Sequence, residues 1–238
     1  MTQPAIFSRE LRLEHDIYRA LSKRPRVPLA QSSNFLPLTA ALYEPLWRKR
    51  SLSLLTGGDF DVTRELDLMV SWLNPQPSQV ALDAACSAGL YARTLLHHEG
   101  TLDVHAVDFS LPFLKKAHEY AAKEEVNTTF VHADVRQLPY KDSSFDLIVC
   151  GASLNEFTDL PRTLTEFSRV LKPGGLMWQM YISKAPSWYG RLFQALFRLS
   201  GIRFVDPNVL ESKAKEVNLG LLKAQHRGRV TMALFEKL

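Results

Sequence analysis

The chain lacks several features that would place it at once in a familiar class. Its 238 residues include two cysteines, Cys86 and Cys150, both in apolar strand-like runs, which indicates buried, reduced thiols in a cytoplasmic protein. No apolar run approaches the ~20 residues of a membrane-spanning helix, and the first 30 residues contain no apolar signal core. The sequence contains neither G-x-G-x-x-G nor a Walker-type Gly-Lys-Ser/Thr, so dinucleotide and P-loop binding are not expected.

The composition is that of an ordinary globular domain. Hydrophobic residues make up 46% and charged residues 23% of the chain, enough for one sizeable α/β domain with an appended helical cap. The net charge of +4 is mild, so it permits an anionic partner without requiring one. Neither a long basic stripe nor an RNA-binding module is visible, and we expect no nucleic-acid partner. The seven histidines lack ligand spacing, so we expect no metal site.

Strand and helix patterns alternate from residue 61 onward, whereas residues 1–60 carry no strand pattern and predict an N-terminal helical extension. After a helix capped by Asp61, five strands are predicted at Val80–Asp83, Leu102–Asp108, Thr128–Ala133, Phe145–Cys150 and Leu176–Ile182. The helices between them predict an α/β fold with a doubly wound parallel sheet. Two final runs around Gly228 predict a C-terminal antiparallel hairpin. We expect two units, residues 1–60 and 61–238, with a helical insertion at about 183–206.

Aspartates end three of the predicted strands: Asp83, Asp108 and Asp134. Ligands of a doubly wound sheet bind at the carboxyl ends of its strands. Asp108 follows the first turn by about 20 residues, the spacing at which a carboxylate reaches ribose hydroxyls. Asp134 can accept from an exocyclic amine, with Phe109 and Val135 beside a flat base. One such Asp is more often a turn former or a helix cap, but three together predict a nucleoside-type ligand.

The first turn, Ala85-Cys86-Ser87-Ala88-Gly89, consists of small residues but contains a single glycine. A pyrophosphate needs glycines that let backbone amides approach it. The turn therefore favours an adenosine-type ligand without phosphates, and Asp83 is then suited to hold an ammonium group.

These segments resemble the class I S-adenosylmethionine-dependent methyltransferases, in the branch of the ubiquinone/menaquinone biosynthesis enzymes. The matching segments are Val80–Gly89, Ala106–Ser110, His132–Pro139, Ser144–Val149 and, most specifically, Leu164–Gly175. The ordered set covers about residues 76–182. The resemblance implies a Rossmann-like, seven-stranded sheet with S-adenosyl-L-methionine at the strand ends.

By position, the resemblance assigns cofactor contacts to nine residues. They are Asp83, Ala85, Ser87 and Gly89 for the methionine part, Asp108 for the ribose, Asp134 and Val135 for the adenine, with Phe109 and Gly151 completing the set. The family's loop is usually Gly-x-Gly-x-Gly, and Ala85 and Ser87 replace two of these glycines. Where φ must be positive, a Cβ costs about 1 kcal/mol, so we expect weakened but not abolished binding.

Three residues are candidates for the chemistry of methyl transfer, which needs positioning, exclusion of water and often a base. The segment after the fourth predicted strand faces the methyl group in this family. There Glu156 is a candidate base, and Asn155 a candidate to hold the acceptor; an equally good interpretation is that both only begin a helix. Tyr181, near the end of the fifth predicted strand, is a third candidate. An Asn-Pro-Pro-Tyr type signature is absent after the fourth strand, which favours an oxygen or carbon acceptor.

The insertion contains an amphipathic stretch over residues 187–199. Its apolar face comprises Trp188, Tyr189, Leu192, Phe193, Ala195, Leu196, Phe197 and Leu199. Such a face predicts packing on the core or as a lid, and less strongly contact with a membrane surface. Together with the Tyr43–Trp47 cluster it would wall an apolar pocket, so we expect a small hydrophobic acceptor such as a quinone, phenol or lipid-like molecule.

Two other functions stay open. The basic, aromatic segment Trp47–Arg50 is compatible with methylation of RNA or protein. The missing loop glycines are compatible with a non-catalytic protein that kept the fold, because fold alone does not establish activity. The sequence does not indicate an oligomeric state.

Overall fold

The computed structural model describes residues 3–22, 27, 29–58, 60–198 and 202–238. The strands in these ranges are β1 (Arg12–Glu14), β2 (Ile17–Arg19), β3 (Val80–Ala84), β4 (Asp103–Asp108), β5 (Thr129–His132), β6 (Phe145–Gly151), β7 (Leu171–Ile182), β8 (Leu219–Arg227) and β9 (Val230–Lys237). The helices are α1 (Leu29–Ser32), α2 (Pro37–Leu42), α3 (Lys49–Thr56), α4 (Val62–Leu73), α5 (Leu90–His98), α6 (Leu111–Lys123), α7 (Leu160–Val170), α8 (Trp188–Arg198) and α9 (Pro207–Lys215). A π-helical turn, Tyr43–Arg48, connects α2 to α3.

The strands form one sheet in the order β1-β2-β5-β4-β3-β6-β7-β9-β8. Strands β5, β4, β3, β6 and β7 are parallel, and the order reverses between β3 and β6, where a doubly wound sheet binds its ligand. The predicted C-terminal hairpin is present, with β9 antiparallel to both β7 and β8. Gly228 makes its turn at φ 55°, and a Cβ there would lie 2.6 Å from the carbonyl oxygen of Leu55.

The sheet has nine strands within the described ranges, and the expected number of seven is wrong. The two additional strands, β1 and β2, lie in the region that was predicted to have no strands. Strand β2 runs parallel to β5 and aligns Ile17 with Phe130, while β1 pairs antiparallel with β2 at the sheet edge. Three residues are too few to show the alternation that marks a strand in a sequence, although Ile17 and Tyr18 are buried.

Local signals at the helix ends explain why the remaining elements fall close to their predicted positions. Asp61 caps α4 by accepting a hydrogen bond from the amide of Arg64 at 2.9 Å, and Asn74 ends this helix in a left-handed conformation. Ser110 caps α6 through the amide of Phe113 at 3.4 Å. Strand β7 begins at Leu171, earlier than predicted, because Leu171 already pairs with Phe145 before a register shift.

Helices cover both faces of the sheet, and each face has its own apolar core. Phe145, Phe167 and Phe235 are fully buried on one face, and Trp178 and Leu95 on the other. The N-terminal helices lie over the carboxyl ends of the central strands.

Candidate functional site

The carboxyl ends of β3, β4, β5 and β6 surround a row of three small cavities, which we call the first, second and third. Their volumes are about 20, 20 and 30 Å³, room for about one water molecule each. Ala85 and Ser87 line both the first and the second, and Phe109 and Glu156 line both the second and the third. The three cavities are therefore neighbours along one groove.

Eight of the nine predicted cofactor residues line this row. Asp83, Ala85, Ser87 and Gly151 line the first cavity, Asp108 the second, and Phe109, Asp134 and Val135 the third. Gly89 lies instead at the start of α5 with φ 75°, and a Cβ there would lie 3.0 Å from the Cβ of Ala117. Glycine at position 89 is therefore explained by the left-handed backbone conformation and by close packing against α6.

The turn after β3 has the left-handed backbone conformation that a glycine-rich loop would have, at two positions where glycine is missing. Ala85 has φ 57° and Ser87 φ 48°, both in the left-handed region that favours glycine. The amide of Ser87 donates to the Asp108 carboxylate at 2.9 Å, and the amide of Cys86 donates to the carbonyl of Val107 at 2.9 Å. The loop therefore keeps this shape through bonds to β4, despite two Cβ atoms that strain it.

Two buried acids, Asp83 and Asp108, line neighbouring cavities of the groove. Burial, reinforced by the charge of Asp108, raises the pKa of Asp83 to about 7, although the carboxylate accepts from the amide of Ala92 at 3.0 Å. Burial also raises the pKa of Asp108 to about 6 against the amide bonds from Ser110 and Ser87. A bound cation would stabilise the ionised form of either acid, so this end of the groove favours a positively charged ligand group.

Asp134 is differently placed, because Arg136 already engages its carboxylate. The Nη2 of Arg136 lies 2.6 Å from Oδ2 of Asp134. Burial raises the pKa of Asp134, but the hydrogen bonds from Arg136 outweigh it and keep this pKa below its ordinary value. The role of Asp134 toward an adenine amine stays a prediction. Phe109, next to it, packs against Phe35 with ring centroids 5.3 Å apart.

Sequence reasoning missed most of the side chains that the N-terminal helices bring to this groove. Gln31 and Asn34 line the second cavity, and Tyr43, Glu44 and Arg48 line the first. The sequence signals among them are the Tyr43–Trp47 cluster, predicted to wall a substrate pocket, and the Trp47–Arg50 segment, which contains Arg48 and is compatible with a macromolecular substrate. The π-helical turn over Tyr43–Arg48 puts Tyr43, Glu44 and Arg48 on the groove side, and such turns are frequent at functional sites.

Arg48 forms a buried polar network at the end of the first cavity. Its Nη2 lies 2.7 Å from Oε2 of Glu65, and Glu65 is completely buried. The hydroxyl of Tyr91 donates to the same carboxylate. A Cβ on Gly151 would lie 2.6 Å from the Tyr91 ring, so glycine at the end of β6 makes room for this network.

The structure brings one of the three catalytic candidates into the groove. Glu156 lines the second and third cavities, its Oε2 accepts from Nδ2 of Asn34 at 3.4 Å, and burial raises its pKa. Asn155 instead donates to the carbonyls of Ile182 at 2.7 Å and Arg203 at 2.6 Å, and accepts from the amide of Ile182 at 2.8 Å. Tyr181 is buried outside the three cavities, and burial raises its pKa to about 12.

Helix α8 differs from the predicted orientation at Trp188, Leu192 and Gln194, whereas Arg191 is exposed as predicted. Trp188 is 72% and Leu192 64% exposed, so the prediction that these two side chains pack on the core is wrong, and the alternative of contact with a membrane surface stays a prediction. The polar Gln194 is buried, because its amide accepts from the amide of Ala185 at 2.8 Å and donates to the carbonyl of Ser183 at 3.0 Å. The side chains of Tyr189, Phe193, Leu196 and Phe197, and the whole of Leu199, lie outside the described residues.

Residues 81–175 match the profile of a protein family described as a methyltransferase domain. This span holds all nine predicted cofactor residues and runs from β3 into β7. No described helix is long and apolar enough to cross a membrane, and within the described ranges no three His, Cys, Asp or Glu side chains form a group suited to a metal ion.

Sequence relatives of this chain include named quinone methyltransferases. A chloroplastic methyltransferase of Arabidopsis thaliana, described as uncharacterized, is 29% identical over 211 residues, 83% of this chain and 59% of that protein. A 2-phytyl-1,4-naphtoquinone methyltransferase of Nostoc is 37% identical over 110 residues, 45% of this chain and 48% of that protein. A ubiquinone/menaquinone biosynthesis C-methyltransferase of Ruegeria is 31% identical over 123 residues, 51% and 49% of the two chains. The chain thus spans less than two thirds of these relatives.

Proteins of solved structure with the same fold are named for different reactions. The cyclase SpnF superposes with a TM-score of 0.68 at 18% identity, covering 90% of this chain and 99% of that chain. Geranyl diphosphate C-methyltransferase from Streptomyces coelicolor, solved with S-adenosyl-L-homocysteine, gives a TM-score of 0.65 at 13% identity, covering 74% and 76%. At such identities the likeness establishes the Rossmann-like fold, and the reaction has to be argued from the site.

Proposed function

We propose that the protein transfers a methyl group from S-adenosyl-L-methionine to an oxygen or carbon of a small hydrophobic acceptor, such as a quinone, a phenol or a lipid-like molecule. The observation that carries this proposal is that aspartates at the ends of three adjacent strands open onto one groove within a methyltransferase domain. The acceptor class is supported by relatives that are named for quinone substrates.

The chemistry of the groove fits this cofactor. Asp83 suits the ammonium group of the methionine part, and the buried guanidinium of Arg48 suits its carboxylate. Asp108 suits a ribose diol, because a carboxylate accepts several hydrogen bonds, and Phe109 with Val135 suits a flat base. Each cavity holds about one water molecule, so the N-terminal helices that cover the groove have to open for a nucleoside to enter.

When bound, S-adenosyl-L-methionine supplies a methyl group carried on a positively charged sulfur. Glu156 is then suited to take a proton from the acceptor at one of its carboxylate oxygens, because burial raises its pKa and makes it a stronger base than an exposed carboxylate. Asn155 holds the turn that carries Glu156 by bonding it to the end of β7. Gln31 and Asn34 line the second cavity from the N-terminal segment, so they are placed to limit the access of water to a bound cofactor. Tyr181 stays a weaker candidate, since it lies outside the cavities.

Peripheral contact with a membrane through residues 187–199 and a cytoplasmic location belong to the same proposal. The outward Trp188 and Leu192 support the membrane contact, because aromatic and aliphatic side chains anchor helices at lipid surfaces.

Calorimetry with S-adenosyl-L-methionine and its demethylated product tests the cofactor. We expect both to bind, and Asp108→Asn to weaken binding by roughly tenfold or more through the loss of a charged acceptor. Asp142→Asn is the matched control, because its carboxylate is exposed and pairs with Arg169 on the surface. The absence of heat at millimolar ligand would overturn the proposal.

A labelled-methyl reaction on a cell extract, split into lipid, RNA and protein fractions, tests the acceptor. Label in the lipid fraction is the expected result. Label in RNA or protein would replace the proposed acceptor class with a macromolecule, and cofactor binding without any labelled product would indicate a non-catalytic protein.

A further inference from the structure

A cavity much larger than the three cavities of the groove lies outside it. It has a volume of about 660 Å³ and lies between the turn after β6, helix α8 and the segment from residue 202 into α9. Phe157 lines this large cavity and also the second and third cavities of the groove. A ligand in the large cavity would therefore be separated from Glu156 and the strand ends by one aromatic side chain.

The inner wall of the large cavity is apolar. Leu154, Phe157, Val205 and Leu210 are all at most 8% exposed as residues and face the space from three different elements. A volume of this size matches the pockets that bury small organic ligands. The apolar inner wall of the large cavity suits a hydrocarbon chain or a ring system.

The mouth of the cavity is positively charged. Lys184, Arg191 and Arg203 line it, and Asp206 is the one acidic residue among its described lining residues. Arg191 donates to the carbonyl of Pro186 at 2.6 Å and Arg203 to that of Thr158 at 3.0 Å, so neither guanidinium is neutralised there. Lys184 lies 3.5 Å from Asp206 in a half-exposed pair, which is worth little. The lining thus carries an excess of two positive charges.

We propose that the large cavity binds an amphipathic anion, with an apolar body against Leu154, Phe157 and Leu210 and a carboxylate or phosphate at Lys184, Arg191 and Arg203. This inference rests on the proposed function in one respect: it makes such an anion the methyl acceptor, which requires the Phe157 side chain to move aside, because methyl transfer needs direct contact between the acceptor atom and the methyl carbon. It narrows the acceptor from any hydrophobic molecule to one with a negatively charged end. Guanidinium groups bind carboxylates and phosphates by charge-assisted hydrogen bonds.

Four probes with the same twelve-carbon chain test the site by calorimetry below their micelle concentrations: dodecanoate, dodecyl phosphate, dodecanol and dodecyltrimethylammonium. We expect the two anions to bind roughly tenfold or more tightly than the other two. Preference for one anion over the other tells a carboxylate ligand from a phosphate ligand. Arg191→Gln and Arg203→Gln should each weaken the anions about fivefold and leave dodecanol unchanged.

Lys213→Gln is the matched control, because it removes the same charge from α9, where Lys213 pairs with Glu216 away from the cavity. Val209→Trp, a substitution at a half-exposed lining residue, should block all probes without disturbing the fold. Equal binding of dodecanol and the anions, or equal loss with Lys213→Gln and Arg203→Gln, would overturn the inference.

Cofactor binding, measured on the same variants, separates this inference from the proposed function. If S-adenosyl-L-methionine binds but the anions do not, the inference alone fails. If the anions bind but the cofactor does not, the anion-binding site is confirmed. Its role in holding the methyl acceptor is then overturned together with the proposed function. In the labelled extract, we expect the labelled lipid to be retained on an anion exchanger at neutral pH; a neutral product would contradict the acceptor role.

Discussion

The amide of Ser87 donates to the carboxylate of Asp108 at 2.9 Å, and this bond fixes the loop after β3 against the end of β4. It holds Ser87 at φ 48°, two residues after Ala85 at φ 57°. The loop thus has the shape of a glycine-rich loop, although it contains one glycine.

Restoring the glycines should relieve this strain. Ala85→Gly and Ser87→Gly are each expected to raise the free energy of unfolding by about 1 kcal/mol, since a Cβ is unfavourable at positive φ. Ala88→Gly, in the same loop at a negative φ and buried, should lower it. Urea denaturation measures all three. If the first two also lose stability, the contacts of their side chains matter more than the strain.

The pair of Arg48 and Glu65 should be strongly coupled in stability. Arg48→Met leaves the fully buried Glu65 carboxylate without its cation, and we expect a loss of about 3–5 kcal/mol. Glu65→Met should cost a similar amount. The double variant should recover most of the loss, because an apolar pair often replaces a buried ion pair at little cost. Additive losses in this double-mutant cycle would show that the pair is not coupled.

Asp83 should make the ligand-free protein less stable as the pH rises toward 7. Its pKa is about 7 in the folded protein against an ordinary 3.8, so between these values the folded state keeps a proton that the unfolded chain has lost. Stability therefore falls across that window, by up to about 1.4 kcal/mol per pH unit. Asp108, with a pKa of about 6, adds to the fall only up to pH 6.

Asp83→Asn should abolish the part of this fall between pH 6 and pH 7. Urea denaturation of both proteins at pH 5, 6 and 7 provides the measurement, and the difference between them separates Asp83 from the histidines. Equal slopes in the two proteins would contradict the raised pKa.

The sequence predicted those parts of the site that depend on strand ends, and missed those that depend on tertiary packing. Asp83 and Asp108 lie at the carboxyl ends of buried strands and Phe109 follows directly, and parallel strands bring such positions to one edge. Arg48 reaches the groove through a π-helical turn, which leaves no periodic signal. The inward face of α8 was also predicted wrongly, because Gln194 is buried through two backbone hydrogen bonds that no hydropathy pattern reveals.

Asn155 should contribute to stability rather than to cofactor affinity. Its amide makes three hydrogen bonds to the backbone of Ile182 and Arg203, so Asn155→Ala should lower the free energy of unfolding by about 2–3 kcal/mol. S-adenosyl-L-methionine should bind this variant nearly as well as the wild type. Asn208→Ala, at an exposed position at the start of α9, is the control. Unchanged stability with impaired turnover would restore the acceptor-binding role.

The outward side chains of α8 should govern contact with lipid. Trp188 and Leu192 are 72% and 64% exposed on this helix, and burying them in a bilayer surface is favourable by about 25 cal/mol for each Å² of apolar area. We expect the protein to co-float with phosphatidylglycerol vesicles, and Trp188→Ser with Leu192→Ser to reduce the bound fraction severalfold. Leu222→Ser, a half-exposed leucine on β8, should leave it unchanged. An equal reduction by Leu222→Ser, or no flotation of the wild type, would contradict a role of α8 at membranes.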